Sequence, residues 1–204
     1  MASYFRTQLE SWIKTIDVKA DRVLDVGGGA NPVKGRTKSW AVDYYRILDN
    51  NLEGDFKIDV LLDLNLELEG QKHTVFNYNP GSKIFTHLGV YDIIFCLEVM
   101  EYVWNPKTAI EHLYSLINEE GGTLYISFPF LYPHHNPAGH DYLRYTRWGV
   151  EKLLTETGFE IEYITPRIEM GDLRISNWFL SEKMHPCKGM RHDEIGFMVK
   201  AIKK

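Results

Sequence analysis

Residues Arg22 to Pro32 read RVLDVGGGANP, and this stretch decides the fold. Val23, Leu24, Asp25 and Val26 predict the end of a short buried strand. Gly27, Gly28 and Gly29 then let the backbone turn through conformations that a side chain forbids. A strand running into glycines brings main-chain N–H groups up against a ligand. Asp25, at the last turn of the strand, is placed to accept hydrogen bonds from the loop or from an ammonium group.

A glycine loop alone is a weak signal, and a tight turn with no ligand stands beside the binding reading. A second acidic strand end, AVDYY at Ala41 to Tyr45, tips the reading. Asp43 follows Asp25 at about 20 residues, the spacing at which an acidic side chain reaches a ribose diol in doubly wound folds. Two carboxylate-ended strands flanking a glycine loop describe a nucleoside site.

The 204 residues suffice for one domain, 1–204, with residues 1–18 forming an N-terminal helix packed on it. The net charge of −5, without a lysine or arginine tract, speaks against binding duplex nucleic acid through phosphates. Two cysteines, Cys96 and Cys187, are too few for a disulfide framework and point to a reducing compartment. No apolar run reaches membrane-spanning length and no signal-peptide pattern opens the chain, so a cytoplasmic protein is expected.

Phe5, Leu9, Trp12, Ile13 and Ile16 recur at helical spacing and predict a helix over residues 4–16 that packs on the sheet. Between Gly29 and the second strand lie only about a dozen residues, too few for a full crossover helix. Lys34, Arg36 and Lys38 in that connection read as a solvated basic loop rather than an anion site. FKIDVLLDL at 56–64 predicts a third strand with Asp63 at its end, and YDIIFCL at 91–97 a strand buried on both faces, followed by Glu98. Asn105 and Pro106 open a helix carrying Ala109, Ile110, Leu113, Leu116 and Ile117, which Gly121 and Gly122 stop. Residues 123–128 predict a fifth strand, Thr146 to Gly158 a capped helix, and residues 159–164 and 194–202 the last two strands. Strands alternating with helices imply an α/β fold with a mostly parallel sheet covered on both faces.

Six motifs in order, VLDVGGGANP, AVDYY, DVLLDL, YDIIFCLEVMEYV, GGTLYISFP and HDYLRYT followed by a helix and TGFEI, resemble class I S-adenosylmethionine-dependent methyltransferases along nearly the whole chain. The last motif, after PHHNP, is similar to small bacterial and phage-type members that modify surface polysaccharides or small molecules. The resemblance implies a Rossmann-like seven-stranded sheet whose last strand is antiparallel, with S-adenosyl-L-methionine across the carboxyl ends of the strands. Carried over by position, Gly27, Gly28 and Gly29 approach the methionine part and ribose, and Asp25 helps hold the amino end. Asp43, with Tyr44 beside it, takes the ribose hydroxyls. Asp63 and the Leu64 backbone face the adenine, while Cys96, Leu97 and Glu98 line the sulfonium side. The chain departs from the family in its short first crossover, in a longer segment at 65–89, and in Glu101-Tyr102-Val103 where the family often has Glu-His-Val. Any role of that histidine does not transfer.

In such an enzyme the sulfonium makes the methyl group electrophilic, and the protein supplies alignment and electrostatics. A hydroxyl acceptor benefits from a base. The loop LYPHHNPAGHDYLRYT leaves the carboxyl edge of the sheet and supplies the candidates. His135 or His140 is the expected base; Tyr132, His134, Asp141 and Arg144 are expected to bind the acceptor. A structural reading stands beside it, in which Asp141 pairs with Arg144 and Tyr142 and Tyr145 pack beneath the loop. Tyr132, Tyr142, Tyr145 and Trp148 also suit a stacking wall for a sugar or base, or ordinary core. Neither the loop histidines nor His185, Cys187 and His192 have zinc-site spacing, so no metal is expected. The function implied is methylation of a small-molecule or glycan hydroxyl, with a homodimer one admissible assembly. The alternatives are a nucleic-acid methyltransferase, disfavoured by charge and by Cys96-Leu97-Glu98-Val99 standing where an Asn/Asp-Pro-Pro-Tyr/Phe motif would, and a cofactor-binding module without catalysis. A nicotinamide dehydrogenase would need a six-residue glycine fingerprint that GGGANP lacks.

Overall fold

The computed structural model describes residues 4–50, 58–66, 74–75, 90–131, 134, 139–168 and 194–204. Along the chain run α1 (Tyr4–Ile13), β1 (Asp17–Val26), β2 (Ser39–Asp49), β3 (Val60–Leu61), β4 (Thr74–Val75), β5 (Ile93–Cys96), a single 3₁₀ turn (Met100–Tyr102), α2 (Pro106–Leu116), β6 (Gly122–Pro129), α3 (Arg147–Thr157), β7 (Glu160–Ile168) and β8 (Glu194–Lys203). One sheet holds all the strands in the order β4-β3-β2-β1-β5-β6-β8-β7. Strands β3, β2, β1, β5 and β6 are mutually parallel, and β8 runs antiparallel between β6 and β7. This is the expected seven-stranded sheet with its last strand reversed, extended at one edge by the two-residue β4 antiparallel to β3.

Alternation along the central strands feeds two cores. Leu24, Val26, Ile94, Cys96, Leu124, Ile126 and Phe128 face α2 and α3, meeting Ala109, Ile110, Leu113, Val150 and Leu154. Val23, Ile93, Phe95, Tyr125 and Met198 point the other way and pack under Leu9, Trp12 and Ile13 of α1 and Val33 of the first loop. The β1–β2 connection contains no helix, as its length predicts, so α1 and this loop cover that face. Arg36 ties the loop to α1 through both oxygens of Glu10, and Lys38 pairs with Asp17, leaving neither as an open anion site. At the far edge, the Gln8 side-chain amide of α1 donates to the Ile168 carbonyl at 2.8 Å and accepts from the Ile168 N–H at 2.9 Å.

α3 starts and stops as its sequence reads. The Thr146 hydroxyl accepts from the Gly149 N–H at 3.2 Å, and Gly158 closes the helix at φ 109°, a left-handed conformation suited to glycine. α2 begins at Pro106 but ends a residue before its expected stripe does. Ile117 is extended and bridges Tyr91, extending the sheet instead of the helix. Residues 58–64 of the predicted third strand are described, and only Val60–Leu61 of them pair as β3; most of the segment 65–89 lies outside the described residues.

Candidate active site at the carboxyl edge of the sheet

β1 and β2 end level, with Val26 opposite Leu48, and the glycine loop leaves β1 directly above that edge. Gly27 has φ 73°, its N–H donates to the Leu48 carbonyl at 2.7 Å, and a Cβ on it would lie 2.4 Å from Val99 Cγ2. Glycine is therefore required there for both conformation and space. A Cβ on Gly28 would meet the Asp25 carboxylate at 2.5 Å. The Gly29 N–H donates to the Asp49 carboxylate at 3.1 Å.

Asp49, rather than Asp43, is the acidic end of β2. Asp43 lies six residues upstream, exposed in mid-strand, roughly 20 Å from the site at ~3.3 Å per residue. Tyr44 is likewise away from the edge, its ring between the guanidinium groups of Arg22 and Arg46 at 5.5 and 4.9 Å. The expected ribose role of Asp43 and Tyr44 is corrected by the length of β2. The strand continues through Arg46, which is buried with its guanidinium over the Tyr44 ring at 4.9 Å.

Asp25 is buried and turned inward. One carboxylate oxygen accepts from the Val33 N–H and from the Tyr45 hydroxyl, each at 2.6 Å, so the side chain anchors the loop from below. Burial pushes its carboxyl up to about 6, against the opposing pull of the Tyr45 and Val33 hydrogen bonds. Its expected hold on the amino end of a ligand becomes a hold on the loop that meets the ligand.

Asp63 follows β3, and one of its oxygens accepts from both the backbone and the side-chain N–H of Asn65 at 2.9 Å. Leu64 is part of the core and offers only its backbone. Asn65 in turn accepts from Trp104 and Asn105 N–H, fixing the start of α2 against this turn. Cys96 is fully buried, and burial pushes its thiol well above the ordinary range, so it serves as an apolar strand end.

Glu98, just beyond β5, adopts φ 57°. A left-handed residue other than glycine costs about 1–2 kcal/mol. Its neighbours offset that cost. Its N–H donates to the Ser127 hydroxyl at 2.8 Å, and that hydroxyl donates to its carboxylate at 2.9 Å. Arg167, wholly buried at the end of β7, adds a two-pronged pair to both carboxylate oxygens, one at 3.2 Å and the other shorter. From this turn hangs the loop after β6. The Glu101 carbonyl accepts from Tyr142 and Leu143 N–H, and the Tyr145 hydroxyl donates to the Met100 carbonyl at 2.9 Å.

Of the loop residues, His135 and Tyr132 lie outside the described residues, as do His185, Cys187 and His192. Arg144 grips both oxygens of the buried Asp141 side chain, with the exposed His134 ring at 3.4 Å. The expected acceptor contacts from Asp141 and Arg144 give way to an internal pair that shapes the loop. His140 is exposed, with Nδ1 3.4 Å from the Tyr142 hydroxyl. Tyr145 is core, whereas Tyr142 meets the exposed Trp104 edge-on at 5.7 Å between ring centres. Among the described residues no group of three His, Cys, Asp or Glu side chains could hold a metal ion.

Sequence reasoning missed Asp49, Tyr45, Ser127 and Arg167. A signal existed only for Asp49: Ile47 and Leu48 extend the strand past Arg46 to a terminal aspartate.

A profile of the methyltransferase domain family matches residues 1–164. The chain belongs to that family. The class I S-adenosylmethionine-dependent resemblance thus holds in family and in fold, and the protein is a methyltransferase. Its fold is similar to that of an S-adenosylmethionine-dependent methyltransferase from Mesorhizobium loti, at 14% identity and TM-score 0.59, over 98% of this chain and 99% of that one. It is also similar to the N-methyltransferase NodS from Bradyrhizobium japonicum in complex with S-adenosylhomocysteine, at 14% identity and TM-score 0.54, over 98% and 88%. A methyltransferase from Haloferax volcanii in complex with the Trm112 activator matches at 12% identity and TM-score 0.59, over 98% and 88%. A search of curated protein sequences finds no match for this methyltransferase.

Proposed function

We propose that the methyltransferase transfers a methyl group from S-adenosylmethionine to a hydroxyl of a small molecule or glycan, with Asp49 holding the ribose. The observation that carries this reading is the Gly29–Asp49 contact. It joins a glycine loop that admits no side chain at Gly27 to a carboxylate at the end of the neighbouring parallel strand. That pairing of main-chain donors with an acidic strand end suits a nucleoside. The cofactor, when bound, supplies an electrophilic methyl group on its sulfonium.

The chain's own part is then alignment. The loop Gly27–Gly29 offers backbone N–H groups, Asp63 and the Leu64 backbone stand on the adenine side, and the turn at Leu97–Val99 bounds the opposite end. Tyr142 and His140, on the loop that hangs from Glu101, form an exposed aromatic rim with Trp104 just before α2, and an acceptor with a flat ring face suits it. His140, or His135, is the base in this proposal, taking the hydroxyl proton as the new bond forms.

Calorimetry with S-adenosylhomocysteine tests the cofactor assignment. Binding to wild type is expected, with NAD giving no comparable heat. Asp49→Ala should weaken it roughly tenfold or more, the loss of charge-assisted hydrogen bonds worth about 1.5–3 kcal/mol, while Asp43→Ala should leave it unchanged. A loss at Asp43 and none at Asp49 would overturn the site. A labelled methyl-transfer screen over sugar nucleotides, glycans, small acids and nucleic acids identifies the acceptor.

A further inference from the structure

The Glu98 carboxylate, one oxygen hydrogen-bonded to Ser127 and both to Arg167, is spent on the protein's own interior. Arg167 comes from the edge strand β7 and reaches the end of β5 across β8 and β6. The path is cut by small residues. Arg167 pairs with Gly196 in β8, and Gly196 pairs with Pro129 in β6. A Cβ on Gly196 would lie 3.6 Å from Arg167 Cδ and 2.9 Å from the Phe128 carbonyl. Ser127 then fills the last gap with a hydroxyl rather than a larger side chain.

The object of this strap is one backbone dihedral. Glu98 at φ 57° puts Val99 over Gly27, in the place of a missing side chain, and aims the Met100 and Glu101 carbonyls at Tyr145 and Tyr142. The turn therefore joins the loop on the donor side to the loop on the acceptor side. From the pair between a buried arginine and a half-buried carboxylate, the positive dihedral and the glycine path together, we infer that Arg167 is a positioning residue, which holds the strand-end turn at Glu98 in the shape that fits the glycine loop around the methyl donor. The inference rests on the S-adenosylmethionine reading and adds to it a residue that touches neither donor nor acceptor.

The inference makes glycine at position 98 equivalent to the strap, because glycine adopts the left-handed conformation without help. Three variants of the full chain are compared by calorimetry with S-adenosylhomocysteine: R167M, E98Q/R167M and E98G/R167M. Without the strap, a non-glycine residue relaxes toward right-handed backbone and binding must restore the turn, which lowers affinity roughly tenfold. R167M and E98Q/R167M should show that loss, and E98G/R167M should recover most of it. R167K keeps the charge but not the two-pronged geometry and should fall short of wild type. Both double variants remove the ion pair, so their comparison stands even if R167M fails to fold. Equal affinity in the two double variants, or wild-type affinity in R167M, overturns the inference. Absence of binding to wild type overturns the cofactor reading instead.

Discussion

Asp25 makes a quantitative forecast about pH. Its carboxyl is raised from 3.8 to about 6 in the folded protein, with burial the dominant cause. At 1.36 kcal/mol per unit, a shift of about two units is worth ~3 kcal/mol. The folded state therefore holds the proton more tightly than the unfolded chain. Stability from this group is fully present below the unfolded value near 4 and is lost as pH rises through about 6. Asp25→Asn isolates the effect. The amide keeps an oxygen able to accept from both Val33 and Tyr45, which in the wild type share one carboxylate oxygen, and it does not titrate. Urea unfolding, followed by tryptophan fluorescence at several values between about pH 4 and 7, gives the stability of each protein. The difference, wild type minus variant, should become ~3 kcal/mol less favourable to the wild type across that interval. Other carboxyls cancel in the difference. A flat difference would refute the burial argument. A difference moving the other way would mean that the Tyr45 and Val33 hydrogen bonds outweigh desolvation.

Gly27→Ala should abolish S-adenosylhomocysteine binding in calorimetry, since a Cβ would lie 2.4 Å from Val99 at a φ that disfavours it; retained binding would mean that the turn at Val99 yields freely. Thr146→Ala should cost about 1 kcal/mol in urea unfolding through loss of the α3 cap, with cofactor affinity unchanged. Once an acceptor is in hand, His140→Ala should cut turnover by roughly 10²–10⁴-fold and erase a histidine-like limb of the rate–pH profile. Near-normal turnover in that variant and in His135→Ala would leave catalysis to alignment.

The glycine loop was legible because its signals are local: apolar residues, an aspartate and three glycines, all between Val23 and Gly29. The ends of α3 were legible for the same reason, through Thr146 and Gly158. β2 departs from its reading because AVDYY is not the end of the strand, which runs on through Arg46 to Asp49. Arg46 lies under Tyr44, a contact between alternate residues of one strand that a hydropathy pattern does not reveal. The contacts that shape the site are more distant. Tyr45 meets Asp25 across 20 positions, and Arg167 meets Glu98 across 69. Neither arginine nor glutamate carries a local mark of such a partner. The pairing exists only because β8 inserts between β6 and β7 and brings Gly196 under the arginine.

The Gln8 clamp has a bearing on solubility. Among the described residues β7 is the last strand on its side of the sheet, and a strand with unpaired N–H and C=O groups is a template for a second chain. At Ile168 both groups are occupied by one glutamine amide, which imitates a neighbouring strand for the length of one residue and then ends. A glutamine cannot propagate a ladder as a strand can. The helix at the start of the chain thus acts as a stopper on the sheet, 160 positions away in sequence. Before α1 docks, the Ile168 N–H and C=O stand open at that edge for another strand to pair with.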